Sequence, residues 1–183
     1  LTNLTSNLLE LNSFNGDNVL LDITTFNICE TIVQTVNTLE GTAAKKEISF
    51  VLDYNTQKEL LVEADESKIH QVLYNLIDNA VKFSHNNSEI KISLRKKGAK
   101  VFVSVKDSGI GIPKESLNKV FDRFYKTDIS RGKDKRGTGL GLSISKEIIQ
   151  AHNQTINVVS TVDVGTEFVF TLKYHSKKQE ASS

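Results

Sequence analysis

Methionine is absent from this 183-residue chain, and cysteine and proline occur once each, as Cys29 and Pro113. One cysteine excludes an internal disulfide and, by count, a cysteine-based zinc site. Cys29 belongs to the set Phe26, Cys29, Ile32, Val33, Val36 and Leu39, spaced as one face of a helix, and reads as a small core residue. No apolar run approaches the ~20 residues a membrane span requires, and no signal peptide is visible. Charge of neither sign dominates: 23 Lys/Arg stand against 22 Asp/Glu, a net +1, which gives nucleic-acid binding no support. Hydrophobic residues at 38% and charged residues at 25% fit one globular domain with a flanking stub. Without a methionine, the chain reads as a piece of a longer protein.

Against that plain background, the run from Asp65 to Ser84 stands out. Ile69, Val72, Leu73, Leu76, Ile77, Ala80 and Val81 recur at helical spacing and predict an amphipathic helix over 66–83. Asn75 and Asn79 lie four apart on one face, and Lys82, seven after Asn75, falls on it too. Uncharged amide oxygens suit a hard cation that keeps most of its waters, as Mg²⁺ does. An ammonium suits a phosphate. A polar helix face with two solvated amides is the alternative.

Downstream are two glycine-rich segments. Asp107-Ser-Gly-Ile-Gly-Ile-Pro113 follows an alternating run with Val101, Val103 and Val105, which predicts a strand over 99–107. A carboxylate at the strand end could accept from an exocyclic amine, and Gly109 and Gly111 could admit a flat ring against the backbone. A capped hairpin would use the same residues. Arg136-Gly-Thr-Gly-Leu-Gly-Leu142 opens a helix-like run to His152. Free N–H groups at a helix start cradle phosphate oxygens, though the segment has neither the spacing of a Walker loop nor the preceding strand of a dinucleotide fingerprint. A hinge before a helix is the plain alternative.

Between the two segments, residues 114–136 hold eight Lys/Arg against four Asp/Glu. The cluster Phe121-Asp-Arg-Phe-Tyr-Lys126 could anchor a loop whose Lys126, Arg131, Lys133, Lys135 and Arg136 meet a triphosphate, or the segment could be a solvated charged loop.

The remaining pattern predicts a helical stub (1–14), an extended piece (18–23), a helix (25–40), strands (46–53, 60–64), the helix over 66–83, strands (88–96, 99–107), a lid (113–136), a helix (139–152) and two strands (154–160, 165–173). Leu1, Leu4, Leu8 and Leu11 form a short coiled-coil seam continued by Phe14. From Ser176 onward the chain is polar and reads as a disordered tail.

The segments, in this order, resemble the catalytic ATP-binding domain of sensor histidine kinases. Asn75-Leu-Ile-Asp-Asn-Ala-Val-Lys-Phe83 is similar to that family's asparagine box, Asp107 to Ile112 to its first glycine box, and Phe121-Asp-Arg-Phe124 to its phenylalanine box. Gly137-Thr-Gly-Leu-Gly-Leu142 is similar to the second glycine box, and Gly165 to Leu172 to the closing strand. The resemblance covers about residues 22–174. It implies an α/β (α+β) sandwich, a mixed sheet backed by helices in the Bergerat ATP-binding arrangement. It also implies ATP and Mg²⁺ as cofactors. Asn79 would bind the metal with Asn75 beside it. Lys82, Tyr125 and Lys126 would face the phosphates, and Asn75, Asn79, Lys82 and Lys126 would carry transfer. Asp107 would take the adenine amino group. Phe83, Gly109, Gly111, Ile112, Gly137, Thr138, Gly139, Leu140, Gly141 and Thr166 would line the nucleotide. Related hydrolytic ATPases carry a glutamate where Asn75 stands. An amide is no general base, so phosphoryl transfer is favoured over hydrolysis. Lys126 departs from the arginine of many members and lacks its bidentate geometry.

The family's phosphoacceptor box, a histidine followed by Glu-x-x-x-Pro, is missing. None of His70, His85, His152 and His175 fits it, and Pro113 belongs to a glycine segment. Each histidine reads as a surface or packing residue. The expected organisation is therefore the tail of a dimerisation hairpin's second helix (1–16), the catalytic domain (17–175) and the tail (176–183). The resemblance implies as partners the phosphoacceptor hairpin of the same kinase and a response regulator, with a homodimeric parent. The domain would be cytoplasmic, without membrane contact of its own, in a membrane-anchored parent. A nucleotide sensor without transfer is the alternative reading; a hydrolytic ATPase and an anti-sigma type serine kinase rank below it.

Overall fold

The structure is a computed structural model that describes residues 20–54, 58–125 and 141–177. The predicted leucine seam, most of the lid and most of the second glycine segment lie outside these residues.

Seven strands form one mixed sheet. In chain order the elements are β1 (Ile23–Asn27), α1 (Ile28–Ala44), β2 (Ser49–Asp53), β3 (Leu61–Asp65), α2 (Glu66–Phe83), β4 (Glu89–Lys97), β5 (Lys100–Asp107), a short 3-10 turn (Lys114–Ser116), α3 (Gly141–Ala151), β6 (Ile156–Thr161) and β7 (Gly165–Tyr174). The sheet runs β1-β3-β7-β5-β4-β2, with β6 also paired to β7. Only β2 and β4 run parallel among these pairs. The three helices among the described residues share one apolar layer with the sheet.

Alternation along the central strands supplies that layer. Val101, Val103 and Val105 of β5 are buried. They stand opposite Lys96, Leu94 and Ile92 of β4, and opposite Leu172, Phe170 and Phe168 of β7. Because side chains alternate between faces, every second residue of β5 meets the helices. From α2 the same seven residues that predicted its apolar face, Ile69 through Val81, are buried.

The chain before α1 differs from expectation. The predicted extended piece at 18–23 and helix at 25–40 are instead β1 at Ile23–Asn27 and a helix at Ile28–Ala44. Asn27 sets this boundary. Its Oδ1 accepts from the N–H of Cys29 (3.1 Å) and of Leu60 (3.0 Å), capping the helix and pinning the following strand to it. Phe26 is buried from a strand, and Val33, in phase with the apolar face, is exposed. Cys29 is buried and free, and burial pushes its thiol pKa up. Gly41 does not stop the helix, which continues to Ala44.

Candidate functional site

The C-terminal end of α2, the segment directly after β5 and the β6–β7 hairpin converge at one end of the sheet. Asp65 starts α2 by accepting from the Lys68 N–H at 3.3 Å and the Ser67 hydroxyl at 3.2 Å. From that fixed start, helical phase carries Asn75 and Asn79 to half-buried positions. The Asn75 amide Nδ2 donates to the Gly141 carbonyl (3.2 Å) and the Ser145 hydroxyl (3.4 Å). Ser145 in turn donates to the same carbonyl at 2.9 Å. The amide is thereby oriented, and its Oδ1 accepts nothing among the described residues. Lys82 is paired with Asp78 one turn earlier, at 3.1 Å. The expectation that Lys82 points with both asparagines toward a phosphate must include that carboxylate, which the sequence reading passed over.

Asp107 ends β5 and is only 8% exposed. Its Oδ1 accepts from the N–H of Gly109 (2.9 Å) and of Thr166 (3.3 Å). Its Oδ2 accepts nothing among the described residues. Burial pushes the carboxyl pKa above its ordinary value, against the opposing pull of those two N–H groups and of His85. The carboxylate thus has one oxygen held by backbone and one left as an acceptor.

The two glycines after it lie tightly against neighbouring backbone. A Cβ on Gly109 would collide with the Phe83 carbonyl, and one on Gly111, whose φ is +73°, with the Thr161 carbonyl. They are required for chain to meet chain. Ile110 N–H donates to Phe83 O at 3.1 Å, and Asp163 N–H to Ile110 O at 2.8 Å. Ile112 N–H donates to the Ser160 hydroxyl at 2.8 Å, which is also 2.7 Å from Thr166 Oγ1. Phe83, Ile112 and Thr166 therefore enter the site through bonds that hold the first glycine segment in place.

Past Pro113 the loop is anchored by one aromatic. Phe121 meets Phe168 edge to face at 6.0 Å, with the Lys146 ammonium 5.6 Å from its ring centre. Phe124 turns outward, 53% exposed, at a φ of +62°. The Tyr125 hydroxyl donates to Ser116 at 2.9 Å, within the loop rather than outward. Lys126, Gly137, Thr138, Gly139 and Leu140 lie outside the described residues. A Cβ on Gly141, which begins α3, would meet Asn75 at ordinary contact distance.

Sequence reasoning missed three participants. Gly165, at a φ of +147°, lets the hairpin lie against the Asp107 carbonyl; the sequence marked it only as the start of the closing strand. Ser160 joins Ile112 to Thr166, and nothing in its strand marked it. Lys46, from the loop after α1, reaches the end of α2, also unsignalled. Among the described residues no group of three or more His, Cys, Asp and Glu could hold a metal. A cation here would rest on amide oxygens and on the ligand's own oxygens. Among the described residues, too, no helix is long and apolar enough to cross a membrane.

Comparison with known proteins bears on this geometry. The family model for histidine kinase-, DNA gyrase B- and HSP90-like ATPases matches residues 64–176. The sensor histidine kinase WalK of Bacillus subtilis is 44% identical over 125 residues, 67% of this chain and 20% of that protein. The catalytic domain of histidine kinase ThkA, in a nucleotide-free form, superposes with a TM-score of 0.74 at 36% identity, covering 84% of this chain and 96% of that one. ThkA in complex with the response regulator protein TrrA superposes with a TM-score of 0.77 at 31% identity, covering 95% of this chain and 48% of that one. This chain spans between 20% and 40% of the length of the curated relatives it matches.

Proposed function

The chain belongs to the histidine kinase-, DNA gyrase B- and HSP90-like ATPase family, as the catalytic domain of a sensor histidine kinase, and on that premise we propose that it binds Mg²⁺-ATP and passes the γ-phosphoryl group to a histidine of its parent. One observation carries the reading. Asp107 is a buried carboxylate with Oδ1 held by two backbone donors and Oδ2 left as an acceptor. An adenine amino group is a donor of the right kind for that oxygen, and a phosphate or carboxylate ligand is not.

The asparagines supply the second half. Asn79, with the oriented Asn75 Oδ1 beside it, would hold Mg²⁺ through neutral oxygens. Bound there, the metal would neutralise charge on the phosphates. The Lys82 ammonium has a half-exposed partner in Asp78. Such a pair is worth only about 0.3–0.5 kcal/mol, so a triphosphate can compete for it. Lys126 and Tyr125 would complete the phosphate contacts, with Gly137, Thr138, Gly139, Leu140 and Gly141 wrapping the phosphates at the start of α3. Asn75 cannot take a proton from water, which supports transfer rather than hydrolysis. Catalysis would then be positioning and charge neutralisation.

The acceptor histidine would belong to a dimerisation hairpin whose second helix ends in residues 1–16, in a homodimeric, membrane-anchored parent. A response-regulator aspartate would receive the phosphoryl group. The ThkA–TrrA complex is a neighbour of that kind.

The test is calorimetric titration of ATP and ADP, with and without Mg²⁺, into this chain and into Asp107→Asn and Asn79→Ala. Adenine at Asp107 predicts that Asp107→Asn weakens both nucleotides. Metal at Asn79 predicts that Asn79→Ala removes the Mg²⁺ dependence alone. A folded chain that binds neither nucleotide would overturn the reading.

A further inference from the structure

The last four carbonyls of a helix have no partner within it, and at α2 each of them is accounted for. Ala80 O accepts from the backbone N–H and hydroxyl of Ser84. Phe83 O accepts from Ile110 N–H, on the first glycine segment. The two between them, Val81 O at 2.8 Å and Lys82 O at 3.1 Å, accept from one side chain, the Lys46 ammonium. The same nitrogen donates to Ser84 O at 2.7 Å. Lys46 is itself fixed at the backbone. Its N–H donates to Ala43 O at 3.0 Å, and its carbonyl accepts from Asn87 N–H at 2.8 Å.

We infer that Lys46 is a positioning residue for the nucleotide site, clamping the end of the asparagine-bearing helix so that the Phe83 carbonyl stands where the Asp107 glycine segment docks. The inference rests on the nucleotide-binding reading above. A cation at a helix C-terminus is favoured by the helix dipole as well as by its hydrogen bonds. Here it also fills all three ammonium donor positions with carbonyls, which water would do less rigidly. Without it, Val81 O and Lys82 O must recruit solvent and the last turn frays. Phe83 lies within that turn, and its carbonyl is both the acceptor for Ile110 and the surface against which Gly109 packs. Asp107 is only two residues from Gly109 and bonded to its N–H. Displacing the helix end therefore displaces the carboxylate. Lys82 and Asn79, on the same final turns, would move with it.

The experiment compares the chain with Lys46→Met, which keeps the apolar stem, and Lys46→Arg, which restores donors. Two quantities are read: amide hydrogen exchange of Ile110 without nucleotide, with Val103 in mid-β5 as internal reference, and the Kd for ATP. Lys46→Met should speed Ile110 exchange about tenfold while Val103 is unchanged, and should raise Kd about tenfold. Lys46→Arg should recover most of both. Equal acceleration at Ile110 and Val103 would mean a merely global loss of stability and would overturn the inference, as would an unchanged Kd in a wild type that binds ATP. A wild type that fails to bind ATP would sink the nucleotide reading and this role with it, whereas the exchange result would still decide whether Lys46 holds the glycine segment.

Discussion

Asn75 and Gly141, 66 positions apart, are joined by a 3.2 Å bond from a side-chain amide to a backbone carbonyl. The link fastens the middle of α2 to the first residue of α3, where the second glycine segment ends. The two ends of this asparagine differ: Nδ2 donates, and Oδ1 accepts nothing among the described residues.

That asymmetry predicts an ordering of substitutions. Asn75→Ala removes one donor and should cost about 1 kcal/mol of stability. Asn75→Asp, nearly the same shape, sets a carboxylate oxygen against the Gly141 carbonyl, which keeps the Ser145 hydroxyl as a donor but loses the amide. It should cost more than Asn75→Ala, by about 1–2 kcal/mol at neutral pH, in urea denaturation. If the aspartate variant is the more stable of the two, the amide's donor role is wrong.

Asp107→Asn should separate stability from binding. The asparagine Oδ1 can still accept from Gly109 and Thr166, so the loop keeps its bonds. The sign of the pH effect follows from the raised carboxyl pKa. With the folded pKa above the unfolded one, the folded chain binds more protons in the interval between them, and stability from this group falls as pH rises through it. Asp107→Asn removes that dependence. Thermal melts should show the variant at least as stable as wild type at neutral pH, with the gap closing as pH drops to the ordinary carboxylate range. Affinity should move the other way. Nδ2 in place of Oδ2 sets donor against adenine donor, a mismatch of ~1–3 kcal/mol, or about 5- to 150-fold in Kd.

The glycines divide into those the chain needs and those it tolerates. Gly109→Ala and Gly111→Ala drive a Cβ into the Phe83 and Thr161 carbonyls, and Gly111 adds a positive φ. Each should cost about 2–3 kcal/mol or more. Gly41→Ala, with nothing within 4 Å inside α1, should stabilise by about 0.5–1 kcal/mol. Gly141→Ala meets only ordinary contacts with Asn75 and should fold normally. Any loss of ATP affinity in it would then report on the ligand. Denaturant midpoints for the four variants check the split, and a destabilised Gly41→Ala would contradict the account of α1.

How much of this was legible from residues alone depends on whether a partner leaves a mark in sequence. The α2 boundaries and all seven of its buried residues followed from period, because Asp65 caps the helix directly where the apolar pattern begins. The start of α1 was misjudged. Phe26 lies in phase with Cys29 and Ile32, and periodicity cannot tell a helical residue from the last buried residue of a preceding strand. Asn27 could have marked the boundary, since its side chain is a capping one. The glycines were found but their packing against chain was not, because the carbonyls they approach belong to segments distant in sequence. Lys46 was invisible for a related reason. Its partners are backbone carbonyls, which carry no side-chain signature, and in sequence it is one of several charged residues in a surface turn.

His152, expected to be a surface or packing residue, has a more definite place. Its Nε2 accepts from the Asp65 N–H at 3.0 Å, and its Nδ1 donates to Ile148 O at 2.8 Å. Those two bonds require the neutral ring with its proton on Nδ1. They tie the C-terminal end of α3 to the residue that caps α2, so α3 is joined to α2 at both of its own ends, by His152 here and by Asn75 at Gly141. His152→Leu keeps the bulk but leaves the Asp65 N–H unpaired beside a buried carboxylate, and should cost about 1–3 kcal/mol. His152→Gln offers an acceptor and a donor on one amide and should recover part of it. The double variant with Asn75→Ala tests the coupling. If the two links brace one helix pair, their combined cost should depart from the sum of the single costs by about 0.5 kcal/mol or more, and strict additivity would show that each end of the pair is held independently.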